Sequence, residues 1–126
     1  MHPVLQRVLT QFDEPCAIIG SAACNFDAAH DIDVLFLLGD IGWKALMRKL
    51  KLKYNGWDHP RLGYHVRRAN YRLPGVAKPI QLLTMSHIKE FEDYEYCCVI
   101  RDGTVLKPGQ YFKKESSGKR HSYSVR

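Results

Sequence analysis

The chain has 126 residues, which is the size of one domain and too short for two. Its hydrophobic fraction of 45% and aromatic fraction of 11% are those of a globular protein, which excludes a disordered tail or a membrane-embedded chain. A formal net charge of +6 favours anionic partners such as phosphates or nucleic acid. No apolar run approaches the roughly 20 residues of a membrane span and no secretion signal is present, so we expect a cytoplasmic protein with no membrane partner.

The first half of the chain predicts the order helix, strand, strand, helix. Apolar residues recur at helical spacing over residues 4–12, which predicts a short amphipathic helix that docks on the core. Residues 16–20 predict a buried strand that ends in a glycine, and residues 21–30 predict a connection. The almost continuously apolar run of residues 31–38 is typical of a central strand covered on both faces.

The middle of the chain predicts a second helix and a hairpin. Asp40 is expected to cap a helix whose apolar residues fall at positions i, i+3, i+4 and i+7, namely Trp43, Leu46, Met47 and Leu50. Residues 55–60 predict a loop, and residues 64–73 and 78–84 predict two strands joined as a hairpin.

Later segments complete the expected fold. Residues 94–101 and 104–106 predict two further strands around a tight turn. The order of elements predicts an α+β fold, a small mixed β-sheet flanked by helices, over residues 1–112. Residues 113–126 contain little apolar sequence and predict a basic, flexible C-terminal arm.

Two carboxylates stand at the start of the apolar strand. Asp31 and Asp33 are two residues apart, so on a strand both side chains project from one face. Carboxylates placed together repel each other unless they share a cation, and Mg²⁺ prefers hard oxygen ligands together with substrate phosphates. The spacing predicts that this carboxylate pair, Asp31 and Asp33, holds Mg²⁺ or Mn²⁺.

The residues that end the preceding strand suit a phosphate. Gly20 and Ser21 offer backbone N–H groups and a hydroxyl, which can hold phosphate oxygens if a helix starts there. We expect this phosphate site to face the carboxylate pair. The two sites together predict a metal ion that faces bound phosphate.

The combination resembles a known signature. A hydrophobic strand ends in Gly20-Ser21, nine residues follow, and Asp31-Ile32-Asp33 opens a second hydrophobic strand. This order is similar to that of the nucleotidyltransferase superfamily related to DNA polymerase beta, whose signature is Gly-[Gly/Ser], a variable loop, then Asp-hydrophobic-[Asp/Glu]-hydrophobic. The resemblance covers residues 17–38 well and extends more loosely to residue 99.

The resemblance implies both a fold and an activity. The fold is a small mixed sheet flanked by helices, and the activity transfers a nucleoside monophosphate from a nucleoside triphosphate such as ATP to a hydroxyl on RNA, a protein or a small molecule. Asp31 and Asp33 would be the catalytic, Mg²⁺-binding residues, and Gly20 and Ser21 would contact the triphosphate. Larger members add a helical segment, so a partner subunit, an oligomer or the acceptor would complete the cleft here.

One position departs from the family pattern. The family supplies a third carboxylate from a later strand, and the best match in this sequence places Gln81 at that position. Gln81 is therefore expected to be part of the nucleotide site, although it has no carboxylate. Glutamine lacks the negative charge that serves one ion in two-metal phosphoryl transfer. A second interpretation is therefore a degenerate module that binds nucleotide or nucleic acid without turnover.

Further candidates surround this site in the sequence. Asp93 and Glu95, and also Glu92, precede a later strand and are candidates to replace the missing carboxylate. Arg67 and Arg68 on the middle strands, with Lys78 beside them, are candidate phosphate contacts. A third interpretation is an interaction protein that uses only its basic surface, and it predicts salt-sensitive nucleic-acid binding that does not depend on the carboxylate pair.

Overall fold

The computed structural model describes residues 1–36, 38–58, 65–85, 98–99, 103, 105–106, 112–114 and 120–122. The helices among them are α1 (Pro3–Leu9), α2 (Ser21–Cys24) and α3 (Asp40–Leu50). The strands among them are β1 (Cys16–Ile19), β2 (Ile32–Phe36), β3 (Asn55–Asp58), β4 (His65–Tyr71), β5 (Ile80–Met85), β6 (Cys98–Val99), β7 (Val105–Leu106), β8 (Phe112–Lys114) and β9 (Arg120–Ser122).

The described strands form one large mixed sheet and one small sheet. The large sheet has the strand order β3-β4-β5-β2-β1-β6-β7. Strands β2 and β5 pair in parallel, whereas the other neighbouring pairs are antiparallel. A mixed sheet with a few helices confirms the predicted α+β class. Within the described ranges, no helix is long and apolar enough to cross a membrane.

The hydrophobic core lies on the face of the sheet that α1 and α3 cover. Alternate residues of β2, Ile32, Val34 and Phe36, belong to this core together with the buried residues of both helices. The helical residues are Leu5, Val8, Leu9, Trp43, Leu46 and Met47. Leu35, which points to the opposite face of β2, is also buried. Burial on both faces agrees with the continuously apolar sequence of this strand.

The helices begin and end differently from the prediction. Helix α1 starts at Pro3, where His2 Nδ1 accepts a hydrogen bond of 3.1 Å from the Val4 N–H, and it ends at Leu9, before the predicted limit at residue 12. The prediction that Asp40 caps α3 is wrong. Gly39 occupies the N-cap position without a side-chain hydrogen bond, and Asp40 is the first helical residue, whose carboxylate pairs with Lys44 at 3.1 Å.

Two short elements were not predicted. Residues 21–24, expected to be part of a connection, form the single turn α2, and Asn55–Asp58, expected to be a loop, forms the edge strand β3. The predicted hairpin of the middle strands is confirmed, because β4 and β5 pair in antiparallel register with Tyr71 opposite Ile80. Strand β3 exists because β4 offers it a free edge of hydrogen-bonding groups.

The C-terminal region contains a separate pair of strands. Strands β6 and β7 pair antiparallel around Gly103, which has the positive φ of 89° that a tight turn requires. Strands β8 and β9 form the two-stranded sheet, with Lys113 opposite His121. This small sheet includes part of the predicted basic arm, and the division of the chain at residue 112 stays a prediction.

Candidate functional site

The end of β1 and the start of β2 meet at the candidate site. These strands pair antiparallel, with Ile19 opposite Asp33, so the glycine that follows Ile19 lies next to the Asp33 side chain. Gly20 has φ +75° and ψ −154°, a conformation that is essentially restricted to glycine. A Cβ added at Gly20 would lie 3.2 Å from Asp33 Oδ2. The buried glycine therefore gives the Asp33 carboxylate space that any other residue would take.

The Asp33 carboxyl is electrostatically unusual. The pKa of Asp33 is raised to about 6, first by burial and then by the nearby negative charge of Asp31, while the positive charge of Arg68 partly offsets both. These causes place Asp31, Asp33 and Arg68 within one electrostatic neighbourhood. Asp31 immediately precedes β2, and its negative charge is near enough to oppose the ionisation of Asp33.

The connection that delivers Asp31 is anchored on the start of β5. The Ile32 N–H donates a 2.8 Å hydrogen bond to the Pro79 carbonyl. Lys78 Nζ donates a 2.5 Å hydrogen bond to the Ala29 carbonyl and lies 4.8 Å from the centre of the Phe26 ring. The structure therefore places the Lys78 ammonium on this connection, where it fixes the position from which β2 begins.

A polar row crosses the sheet next to the carboxylate pair. Asp33 is the register partner of Gln81 on the parallel strand β5, and Gln81 is in turn the partner of Asn70 on β4. Register partners share a face of the sheet, and adjacent strands lie about 4.8 Å apart. Gln81 thus occupies the position beside Asp33 at which the resemblance expects a third carboxylate.

The two neighbouring arginines of β4 lie on opposite faces of the sheet. Arg67 points to the helix side, where its guanidinium pairs with Asp40 and lies 6.0 Å from the centre of the Tyr54 ring. Arg68 points to the side of Asp33, is exposed, and lies 5.1 Å from the centre of the Trp57 ring. Of these two arginines, the structure places only Arg68 on the face of Asp33.

Ser21 is next to this group but its role rests on position alone. It is the exposed first residue of α2, and its carbonyl accepts a 2.8 Å hydrogen bond from the Asn25 N–H. Helix α2 is a single turn, so it adds little dipole to the site. What this segment contributes to the site is the Gly20 backbone, which lies close to the Asp33 carboxylate.

The donors available for a metal are two carboxylates and one amide. In the part of the chain that the structure describes, no group of three or more His, Cys, Asp or Glu side chains is placed to hold a metal ion. The predicted replacements for the third carboxylate, Asp93 and Glu95, and also Glu92, lie outside the described residues.

Asn70 was missed by sequence reasoning. The predicted hairpin could have revealed it, because a turn centred between Gly75 and Val76 pairs Asn70 with Gln81. The row therefore follows from the hairpin register once the turn is placed.

The chain matches no protein-family model, no curated protein and no solved structure. The functional argument therefore depends on the residues of the site.

We expect Gly20→Ala to destabilise the protein by about 1–3 kcal/mol, because alanine strongly disfavours this backbone conformation. Its methyl group would also crowd Asp33 Oδ2, only 3.2 Å away. Chemical denaturation measures the free energy of unfolding. Gly39→Ala is the control, because Gly39 has φ −70° and no neighbouring atom within 4 Å, and we expect it to cost less than about 1 kcal/mol. Equal costs for the two variants would contradict the strain assigned to Gly20.

The stability of the metal-free protein should depend on the ionisation of Asp33. The unfolded carboxyl releases its proton near pH 3.8 and the folded one near pH 6, so the folded state binds more protons between these values. The free energy of unfolding contributed by this group therefore falls as the pH rises from about 4 to about 6.

Asp33→Asn removes this pH dependence. In the presence of a chelator, we expect the variant to melt above the wild type at pH 7 and to approach it below pH 4, as measured by circular dichroism across this range. Asp27→Asn, which changes an exposed carboxyl in the preceding connection, is the matched control and should shift the melting temperature little at any pH. A variant that melts below the wild type at pH 7 would show that the Asp33 charge is already compensated.

Proposed function

We propose that the chain binds a Mg²⁺–nucleoside triphosphate through Asp31, Asp33, Gly20 and Ser21 and transfers its nucleoside monophosphate to a hydroxyl acceptor. The observation that supports this proposal is the packing of the Asp33 carboxylate against the Gly20 backbone with Asp31 beside it. Burial and the second carboxylate both oppose the ionisation of Asp33, and a divalent cation is the ligand that relieves this opposition.

The donor set fits Mg²⁺. Asp31, Asp33 and the amide oxygen of Gln81 are hard oxygen donors, and Mg²⁺ in phosphate-transfer sites takes one or two carboxylates and completes its coordination with phosphates and water. When bound, the ion would neutralise the charge that develops on the triphosphate and lower the pKa of the attacking hydroxyl. The two carboxylates would hold the ion, and the Gln81 amide oxygen would be a third donor from the neighbouring strand.

The remaining residues act on the triphosphate. Without a Cβ, Gly20 lets the Asp33 carboxylate lie close to the chain, and the backbone N–H groups of this turn are the candidate donors to a phosphate. The exposed Ser21 hydroxyl is adjacent in the chain and can donate to the same phosphates. Arg68 supplies a positive charge on the same face, where it stabilises charge on the transferring phosphoryl group. An RNA, a protein or a small molecule with a free hydroxyl is the acceptor, which enters beside Asp33 and completes the cleft alone or with a partner subunit.

We expect Asp31→Asn and Asp33→Asn to weaken binding of Mg²⁺–ATP by about tenfold or more, since each removes one charged ligand of the ion. Isothermal titration of each nucleoside triphosphate, with Mg²⁺ and with a chelator, measures this loss. Asp27→Asn is the control of equal charge change on the exposed connection and should bind as the wild type does. If both carboxylate variants bind the metal nucleotide as tightly as the wild type, the proposed site is wrong.

A second candidate function is a module that binds nucleotide or nucleic acid without turnover. The observation that favours it is the register of Gln81, which stands opposite Asp33 where a third carboxylate would serve the second ion. The amide can coordinate but contributes no charge. Binding of the nucleotide would then persist while transfer is absent.

Gln81→Asp distinguishes the two functions. We expect the added carboxylate to tighten the binding of a second metal ion and to raise transfer of labelled nucleotide above the wild-type rate, because it supplies the missing charge beside Asp33. Asn70→Asp is the matched control, since it places the same charge in the same row but one strand, about 4.8 Å, further away. Wild-type transfer that is undetectable, with no gain in Gln81→Asp, would leave the binding module as the function.

A further inference from the structure

The edge strand β3 and its neighbour β4 carry a second group of exposed side chains on the face of the carboxylate pair. Asn70 lies in the same row as Gln81 and Asp33, and Arg68, two residues away on β4, points to the same face. Asn55 of β3 is the register partner of Arg68. These polar side chains extend the candidate site toward the edge of the sheet.

An aromatic ring completes this group. Trp57 of β3 is two residues from Asn55 and therefore shares its face, and it is only partly buried. The Arg68 guanidinium carbon lies 5.1 Å from the centre of the Trp57 ring, within cation–π distance. Trp57 and Arg68 thus present adjacent flat groups, which we call the Trp57–Arg68 platform.

The platform differs from the other aromatic and basic groups that the structure describes. Lys78 lies over the Phe26 ring, but its ammonium donates to the Ala29 carbonyl. Trp43 is completely buried in the core. Arg67 lies near the Tyr54 ring on the opposite face, but it is ion-paired with Asp40. The platform therefore combines a partly exposed ring with an exposed cation, as required by a site that stacks a base and attracts a phosphate.

We infer that the Trp57–Arg68 platform binds single-stranded nucleic acid, with a base stacked on the platform and the backbone phosphates near Arg68. Single-stranded bases expose the faces that aromatic and guanidinium planes stack on, whereas the bases of a duplex are stacked on each other. The net charge of +6 adds long-range attraction for such a polyanion.

The position of the platform also assigns a substrate class, and this part rests on the proposed function. Strands β2 and β4 are separated by two strand spacings, roughly 10 Å. A single-stranded nucleic acid held on β4 would therefore bring its terminal hydroxyl to the carboxylate pair. Arg68 is close enough to Asp33 for its positive charge to lower the pKa of that carboxyl. The acceptor of the transfer reaction is then the terminal hydroxyl of a single-stranded nucleic acid.

The test uses the full-length protein and a labelled single-stranded oligoribonucleotide of about 12 nucleotides, in a chelator and without nucleotide. Fluorescence anisotropy should show that Arg68→Ala weakens binding about tenfold. Arg48→Ala removes the same charge from an exposed position on α3 and should weaken binding less than about threefold. Arg68→Lys keeps the charge but loses the planar group, and it should weaken binding more than Arg48→Ala does.

Intrinsic fluorescence tests stacking directly. The sequence contains two tryptophans, and Trp43 is buried, so a base stacked on the platform should quench Trp57. Trp57→Phe keeps an aromatic ring for folding and binding but should abolish this quenching. Circular dichroism melting confirms that each variant is folded before its affinity is compared.

Three results would overturn the inference: equal loss of affinity in Arg68→Ala and Arg48→Ala, no quenching of Trp57, or equally tight binding of polyglutamate or a duplex of the same length. Because binding is measured without Mg²⁺ or nucleotide, these results would leave the proposed function intact. Conversely, platform-dependent binding together with no Mg²⁺–ATP binding would support the platform and overturn the proposed function alone.

Discussion

The parallel pairing of β2 with β5 is the contact on which the arrangement of the site depends. It joins segments that are far apart in the chain, and polar contacts hold both ends of the pairing. At one end the Ile32 N–H donates to the Pro79 carbonyl at 2.8 Å. At the other end the buried Thr84 hydroxyl lies 3.0 Å from the Phe36 carbonyl, to which it can donate. A slip of one residue would turn Asp33 into the core, so the apolar residues of β2 fix the register.

This register divides the sheet into two chemically different faces. On the helix side, apolar residues pack with α1 and α3, and Arg67 is ion-paired with Asp40. On the other side, the polar row of Asp33, Gln81 and Asn70 crosses three strands, with Arg68 beside it. The two consecutive arginines therefore have different roles. Arg67 pairs with Asp40 on the helix side, and Arg68 contributes positive charge to the candidate site.

The candidate site is held at some cost to stability. Gly20 adopts a backbone conformation that other residues disfavour, and burial and Asp31 oppose the ionisation of Asp33. Sites of function commonly retain such unfavourable features because a ligand compensates them. A cation between the carboxylates would lower the pKa of Asp33 and stabilise the folded state, which links the geometry to the proposed function.

The sequence by itself determined the features that depend on local spacing. Apolar runs and helical periodicity identified α1, β1, β2, α3 and the β4–β5 hairpin. The shared face that the two-residue spacing predicts for Asp31 and Asp33 stays a prediction, because β2 begins at Ile32, after Asp31. The resemblance pointed to Gln81, but only the tertiary structure decided the register that sets it opposite Asp33. The structure also decided which arginine shares that face, because alternation separates Arg67 from Arg68 without saying which of them faces the helices. Strand β3 could not be predicted either, since its Asn55-Gly56 sequence is typical of a turn, and its extended form depends on hydrogen bonds from β4.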